Sequence, residues 1–352
     1  MAACTAWWMP IGCRLPRLER LRRTASKRQA GLRHVPIIGA MPSTSARPVP
    51  HLAAGLLLAS AGSIAFSGKA IIVKLAYRHG VDAVTLIMYR MLFALPLFLA
   101  LAWWATYRQG GGGQAALTRQ DWLGILGLGF TGYYLASFLD FWGLQYISAS
   151  LERLILYLNP TLVLVLGWVV YQRRITRLQA LAMVVSYAGV LLVFGHEADF
   201  AGPNAVLGAA LVFGSAISYA IYLVYSGELV KRLGSMRLVG LATSVACALC
   251  LLQFVLLRPL EAATAVAPEV IWLSVLNATL CTFAPVLMVM MAIERLGAGL
   301  AAQTGMIGPM STIAMGVLIL DEPFNGWIVA GTALVVSGVF LVTRFGSASA
   351  GK

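Results

Sequence analysis

The chain has 352 residues, 60% of them hydrophobic and only 11% charged, with a mean hydropathy of +0.83. Soluble domains run near 25% charged, so this composition excludes an ordinary water-soluble enzyme and indicates one multi-pass membrane unit. The net charge of +13 does not indicate nucleic acid, because nine of the 26 Lys and Arg precede the first apolar run and most others flank the ends of later ones.

Residues 1–50 read as a basic, disordered cytoplasmic tail without the apolar core of a signal peptide. Two other readings stand beside this: a basic amphipathic helix on anionic lipid from Arg17 to Arg33, or a true start at Met41. From His51 onward, apolar stretches long enough to cross a bilayer alternate with short breaks. They are expected at 52–74, 82–106, 121–146, 149–171, 177–195, 205–229, 237–257, 269–293, 299–320 and 326–344. Gly110 to Gly113 is a flexible linker, Arg173-Arg174 ends the fourth stretch, His196 to Asp199 is an acidic turn, and Asp321-Glu322-Pro323 separates the last two. The expected fold is all-α and polytopic: ten transmembrane helices as two inverted five-helix repeats, over 52–195 and 205–344, with a cytoplasmic tail at 345–352.

Orientation follows from the cations. With both termini cytoplasmic, twenty of the 26 Lys and Arg fall on the cytoplasmic side, against Lys74, Arg78, Arg153 and Arg258 opposite, with Lys69 and Arg90 inside spans. A shift of 149 residues aligns the halves without a gap. It brings Ala149, Leu151, Pro160, Gly167, Gly189 and Val190 onto Ala298, Leu300, Pro309, Gly316, Gly338 and Val339. Five spans per half would invert the second copy, an arrangement that transporters use to build a midplane site between repeats.

Two segments carry a family resemblance. One runs from Leu144 to Ser150 and Leu151, through Leu158-Asn159-Pro160, to Tyr171-Gln172 and Thr176; the other runs from Ala298 through Gly308-Pro309 to Leu320-Asp321-Glu322-Pro323. They resemble the paired EamA repeats of the drug/metabolite transporter superfamily, over about residues 52–345. The resemblance implies ten helices, cytoplasmic termini, a bacterial inner-membrane location and alternating-access export or uptake of small organic solutes. The chain departs from the family at Tyr171-Gln172, where the first repeat usually ends its fourth span with Gly-Glu; this weakens the expectation of a carboxylate role at that turn.

A charge at the bilayer centre costs roughly 2.5–3.5 kcal/mol on insertion scales and so needs a reason. The first half holds Lys69, Arg90, Asp140, Glu152 and Arg153. Helical spacing puts Ser148, Glu152, Ile155 and Asn159 on one face, and Tyr133, Ser137 and Asp140 on another. Asp140 and Glu152 are expected to line a central cavity with Lys69 or Arg90 nearby, Arg153 to snorkel to the outer interface, and Pro160 and Pro309 to free carbonyls for a polar solute. A structural ion pair of Arg90 with Asp140 is the plainer alternative. The candidate substrate-binding residues are Glu152, Asp140, Lys69, Arg90, Asn159, Tyr133 and Gln303, with Asn277, Thr282, Tyr219 and Tyr222 as further polar or aromatic positions.

Other motifs read as packing. Gly127-Leu-Gly129-Phe-Thr-Gly132 fits a dinucleotide fingerprint but follows no strand, and Gly68-Lys69 lacks the rest of a P-loop. Cys247-x-x-Cys250 lies in an apolar span, and His34, His51, His79 and His196 fall outside span interiors, so neither a metal nor any other cofactor is expected. The expected function is a non-enzymatic secondary transporter, an exporter or exchanger of small polar or amphipathic metabolites such as amino acids. Its partners would be the small-molecule substrate, a coupling proton and the lipid bilayer, with no nucleic acid; monomer or homodimer is left open. The alternative is an integral-membrane enzyme acting on a lipid or isoprenoid.

Overall fold

A computed structural model describes residues 49–109, 117–172, 175–198, 204–296, 301 and 304–346. The tail readings for 1–40, the 110–113 linker and Gln303 therefore lie outside the described residues. Among those described, the chain is helical with no strand. The helices are α1 (Val49–Tyr77), α2 (Ala83–Gln109), α3 (Arg119–Leu128), α4 (Ala136–Gly143), α5 (Ala149–Leu156), α6 (Asn159–Tyr171) and α7 (Arg177–Ala198). They continue as α8 (Ala205–Leu233), α9 (Ser235–Leu257), α10 (Pro268–Ala278), α11 (Ala284–Leu296), α12 (Ile307–Leu320) and α13 (Gly326–Gly346). A π-helical segment, Gly129–Leu135, joins α3 to α4, and another, Thr279–Phe283, joins α10 to α11.

Among the described residues, eight helical stretches are long and apolar enough to cross a membrane: Leu52–Tyr77, Ala83–Tyr107, Arg119–Gly143, Ala149–Val170, Arg177–His196, Ala205–Gly227, Ser235–Leu257 and Pro268–Leu296. Two shorter apolar helices follow, Ile307–Leu320 and Gly326–Val342. The outer surface agrees with a lipid solvent. Leu57, Leu191, Leu256 and Leu318 are exposed by 66–81%, and Trp103, Trp122, Trp272 and Trp327 stand out near helix ends, where indoles suit the membrane interface. The protein is therefore a multi-pass membrane protein.

Local chemistry sets the helix limits. The Asp82 carboxylate caps α2, accepting from the Val84 and Thr85 amides at 3.0 and 3.2 Å, and pairs with Arg258 at 3.0 Å. Thr118 and Asp121 form a capping box at α3, and the Ser148 hydroxyl accepts from the Leu151 amide at α5. α5 stops at Leu156 and α6 restarts at Asn159 because Pro160, in its first turn, has no amide to donate backwards. Gln172 and Asp321 close α6 and α12 in the left-handed region, with φ of 53° and 60°.

Packing pairs the halves. α2 lies along α9 and α7 along α13; α1 packs on α11 and α12, while α8 packs on α4 and α6. Exchanging α1, α2, α4, α6 and α7 for α8, α9, α11, α12 and α13 maps these pairs onto one another. The glycine fingerprint is part of this packing: a Cβ on Gly129 would lie 2.6 Å from the Ala242 carbonyl of α9, so only glycine permits the approach. Cys247 sits in the same core, its Sγ 3.6 Å from Met91 Sδ.

Candidate functional site

The helices form a partly open cavity of about 240 Å³. Both halves line it: Lys69, Arg90, Tyr133, Ser137, Asp140, Arg153 and Asn159 from the first, Ser215, Tyr219, Thr282 and Val286 from the second.

One end is charged. Lys69 reaches from α1, where it is 7% exposed, and donates to Asp140 Oδ2 of α4 at 2.5 Å, with Glu152 Oε1 of α5 at 3.3 Å. The alternative pairing of Arg90 with Asp140 is not the one formed: the Asp140 partner is Lys69. Glu152 is 0% exposed and lies behind Lys69, so it neutralises the cavity wall through the ammonium and is not itself among the lining residues. Arg90, 6% exposed, donates from Nε to Thr282 Oγ1 at 3.1 Å and stacks its guanidinium 5.0 Å from the Phe141 ring centroid. Thr282 in turn donates to the Asn277 carbonyl five residues back, within the π-helical turn that aims it at Arg90.

Arg153 corrects a second expectation. It does not snorkel; it lines the cavity, 5.7 Å from the Phe66 ring centroid. Its Nη2 donates to Ser67 Oγ at 3.2 Å, and Ser67 Oγ lies 2.8 Å from the Gly308 carbonyl of α12. A Cβ on Gly308 would sit 2.7 Å from that same nitrogen, so the missing side chain makes the space the guanidinium occupies. The sequence signal is Gly308 beside Pro309, which the sequence carries only as part of the family resemblance.

The rest of the lining is hydroxylic and aromatic. The Tyr133 and Tyr222 hydroxyls lie 3.3 Å apart, the Tyr219 and Tyr222 rings stack, and the Ser215 hydroxyl donates to the Ala136 carbonyl. Tyr133, Ser137 and Asp140 share the cavity face as their spacing predicts, even through the π-helical segment. The predicted Ser148–Asn159 stripe does not survive the break after α5: Ser148 is a helix cap, Glu152 is behind the wall and Asn159 is on it. Nor are carbonyls left open at Pro160, since Asn159 Nδ2 donates to the Leu156 carbonyl at 2.7 Å. Asn277 is buried away from the cavity.

Glu322, in the break between the last two spans, has a definite role in the structure. Its carboxylate accepts from the Ala149 amide at 2.7 Å, the Ser150 amide at 3.2 Å and the Ser150 hydroxyl at 2.7 Å. An acid from the second half therefore holds the N-terminus of α5, where the helix dipole favours it. Among the described residues, no group of His, Cys, Asp and Glu is placed to hold a metal ion.

The EamA-like transporter family model matches the chain twice, over 53–195 and 206–344. The chain is 30% identical over 300 residues to the uncharacterized transporter YcbK of Bacillus subtilis, covering 84% of this chain and 93% of that one. An uncharacterized transporter of Archaeoglobus fulgidus is 21% identical over 288 residues, covering 82% and 96%. A solved structure titled only as the crystal structure of a protein shares the fold, with a TM-score of 0.56 at 20% identity, covering 83% of this chain and 96% of that one. With both halves matched and transporters as its relatives, the chain belongs to the EamA-like transporter family, within the drug/metabolite transporter superfamily, and is a membrane transporter.

Proposed function

We propose that the protein is a secondary transporter that exports or exchanges small polar or amphipathic metabolites, such as amino acids and related solutes, through its central cavity. The observation that carries this reading is a cavity built from both halves, lined by charged groups of the first half and by hydroxyl and aromatic groups of both. The layout we infer is ten spans as two inverted five-helix repeats, with the cavity near the midplane and the halves rocking about it. The reciprocal helix pairings, the paired π-helical segments and the left-handed caps at Gln172 and Asp321 support that layout. The cation bias supports cytoplasmic termini in a bacterial inner membrane. Asp140 and Glu152, sharing one ammonium, are the groups we assign to a coupling proton.

The test is efflux from proteoliposomes loaded with a mixture of amino acids and small organic acids, read by mass spectrometry. Wild type should deplete one chemical class, and Ser137→Leu, which fills the cavity, should abolish that depletion. Equal efflux with and without protein, or efflux indifferent to Ser137→Leu, would overturn the reading.

A further inference from the structure

Resting on the reading of this cavity as the transport site, we propose that its substrate is a small organic monoanion: a carboxylate held by Arg90 and Arg153, with an apolar or aromatic body against Tyr133 and Tyr219.

The charges do not balance without it. Lys69, Arg90 and Arg153 bring three cations to the site, and Asp140 and Glu152 bring two anions, both already gathered on Lys69. Among the described residues, neither guanidinium has an ion-pair partner. Each also keeps a buried nitrogen without an acceptor, Nη1 of Arg90 and Nε of Arg153. A buried cation without a counterion is strongly unfavourable, whereas a carboxylate can accept two parallel N–H bonds from a planar guanidinium. With both carboxylates ionised, one monoanion brings the site to neutrality. Within the proposed solute class, an amino-acid zwitterion would leave the excess charge standing, and a phosphomonoester, at about −1.5 to −2, would overshoot it.

The opposite wall fixes the rest of the ligand. Tyr133 lies seven residues before Asp140 on the same span, about 10 Å along a helix axis at 1.5 Å per residue. That distance, and the small cavity volume, admit one ring or branched chain beyond the carboxylate. The aromatic faces of Tyr133 and Tyr219 suit such a body better than a second charge.

Four probes with one body separate the charges: phenylacetate, phenylalanine, phenethylamine and 2-phenylethanol. Each is titrated against the purified full-length protein, and binding is read as the rise in melting temperature. Phenylacetate should bind at least tenfold more tightly than the other three, and this comparison in wild type depends on no variant folding. Arg90→Gln and Arg153→Gln should each weaken phenylacetate by roughly ten- to a hundredfold, as for a hydrogen bond to a charged group. Arg90→Lys and Arg153→Lys should lose less. Equal or tighter binding of phenylalanine, the amine or the alcohol would overturn the monoanion while leaving a cavity site standing. Equal stabilisation of wild type and both Gln variants would place phenylacetate elsewhere and overturn the proposal. Stabilisation by none of the four would also overturn it, while the efflux assay separately decides whether the cavity transports.

Discussion

Lys69→Met tests the charge arrangement most directly. The wild-type ammonium lies 2.5 Å from Asp140 Oδ2 and 3.3 Å from Glu152 Oε1, and Asp140 Oδ1 and both Glu152 oxygens already lack a hydrogen-bond donor. Methionine fills similar space but leaves four carboxylate oxygens, on residues 2% and 0% exposed, with no donor at all. Removing one partner of a buried ion pair costs about 3–5 kcal/mol. On the scaling for domains of 150–250 residues this lowers the melting temperature by roughly 6–20 °C. The assay is thermal unfolding in detergent of wild type, Lys69→Met, Asp140→Asn/Glu152→Gln and the triple variant. The triple variant should recover most of the loss, because no buried charge is then left without a partner. If Lys69→Met melts with wild type, the ammonium does not neutralise these carboxylates and the charge count of the cavity falls with it.

Glu322→Ala removes the acceptor for two amides and a hydroxyl at the start of α5. It should cost about 2 kcal/mol and speed hydrogen exchange at Ala149 and Ser150; unchanged exchange there would contradict the capping role. Asp82 supplies a pH test outside the spans. Burial pushes its carboxyl up, but the Thr85 hydroxyl and amide together with Arg258 outweigh that, so its pKa lies below the ordinary 3.8. Its contribution is therefore complete above that ordinary value and is lost as pH falls through the folded one. Asp82→Ala should cost about 1 kcal/mol or less between pH 5 and 8, given a side chain 34% exposed, and the difference in melting temperature should close as pH falls through the folded value, below 3.8. A difference that persists at lower pH would assign the cap to something other than the carboxylate.

The apolar rhythm placed the helices well, because a lipid solvent leaves few choices once a run reaches bilayer length. The structure begins α2 at Ala83 and α9 at Ser235, within two residues of the expected 82 and 237. Repeating residue types also placed Tyr133, Ser137 and Asp140 on one face correctly. What failed were inferences that needed neighbours from the other half. Arg153 lies five residues into α5, which looked like an interface position. Only Ser67 on α1 and the bare backbone of Gly308 on α12 explain why its guanidinium points inward. Glu322 was invisible for the same reason, since its partners are more than 170 residues away. The π-helical turns had no signal, because Gly129–Leu135 and Thr279–Phe283 share no residue pattern that marks a widened turn. The Glu152–Asn159 stripe failed at a visible cue: a proline in the span interrupts the phase on which any stripe depends.

All five cavity charges come from one of the two matched repeats, and the position 149 residues after Glu152 is Ala301. After duplication, the copies have therefore specialised: the first carries the ionic groups and most of the aromatic lining, and the second adds the hydroxyls of Ser215 and Thr282 and the Tyr219 ring. Selection for a new cargo can then act on one copy while the complementary copy preserves the shared scaffold. A hybrid that keeps residues 49–198 and takes its second half from a relative would inherit this chain's charge preference, whereas the reciprocal hybrid would inherit the relative's.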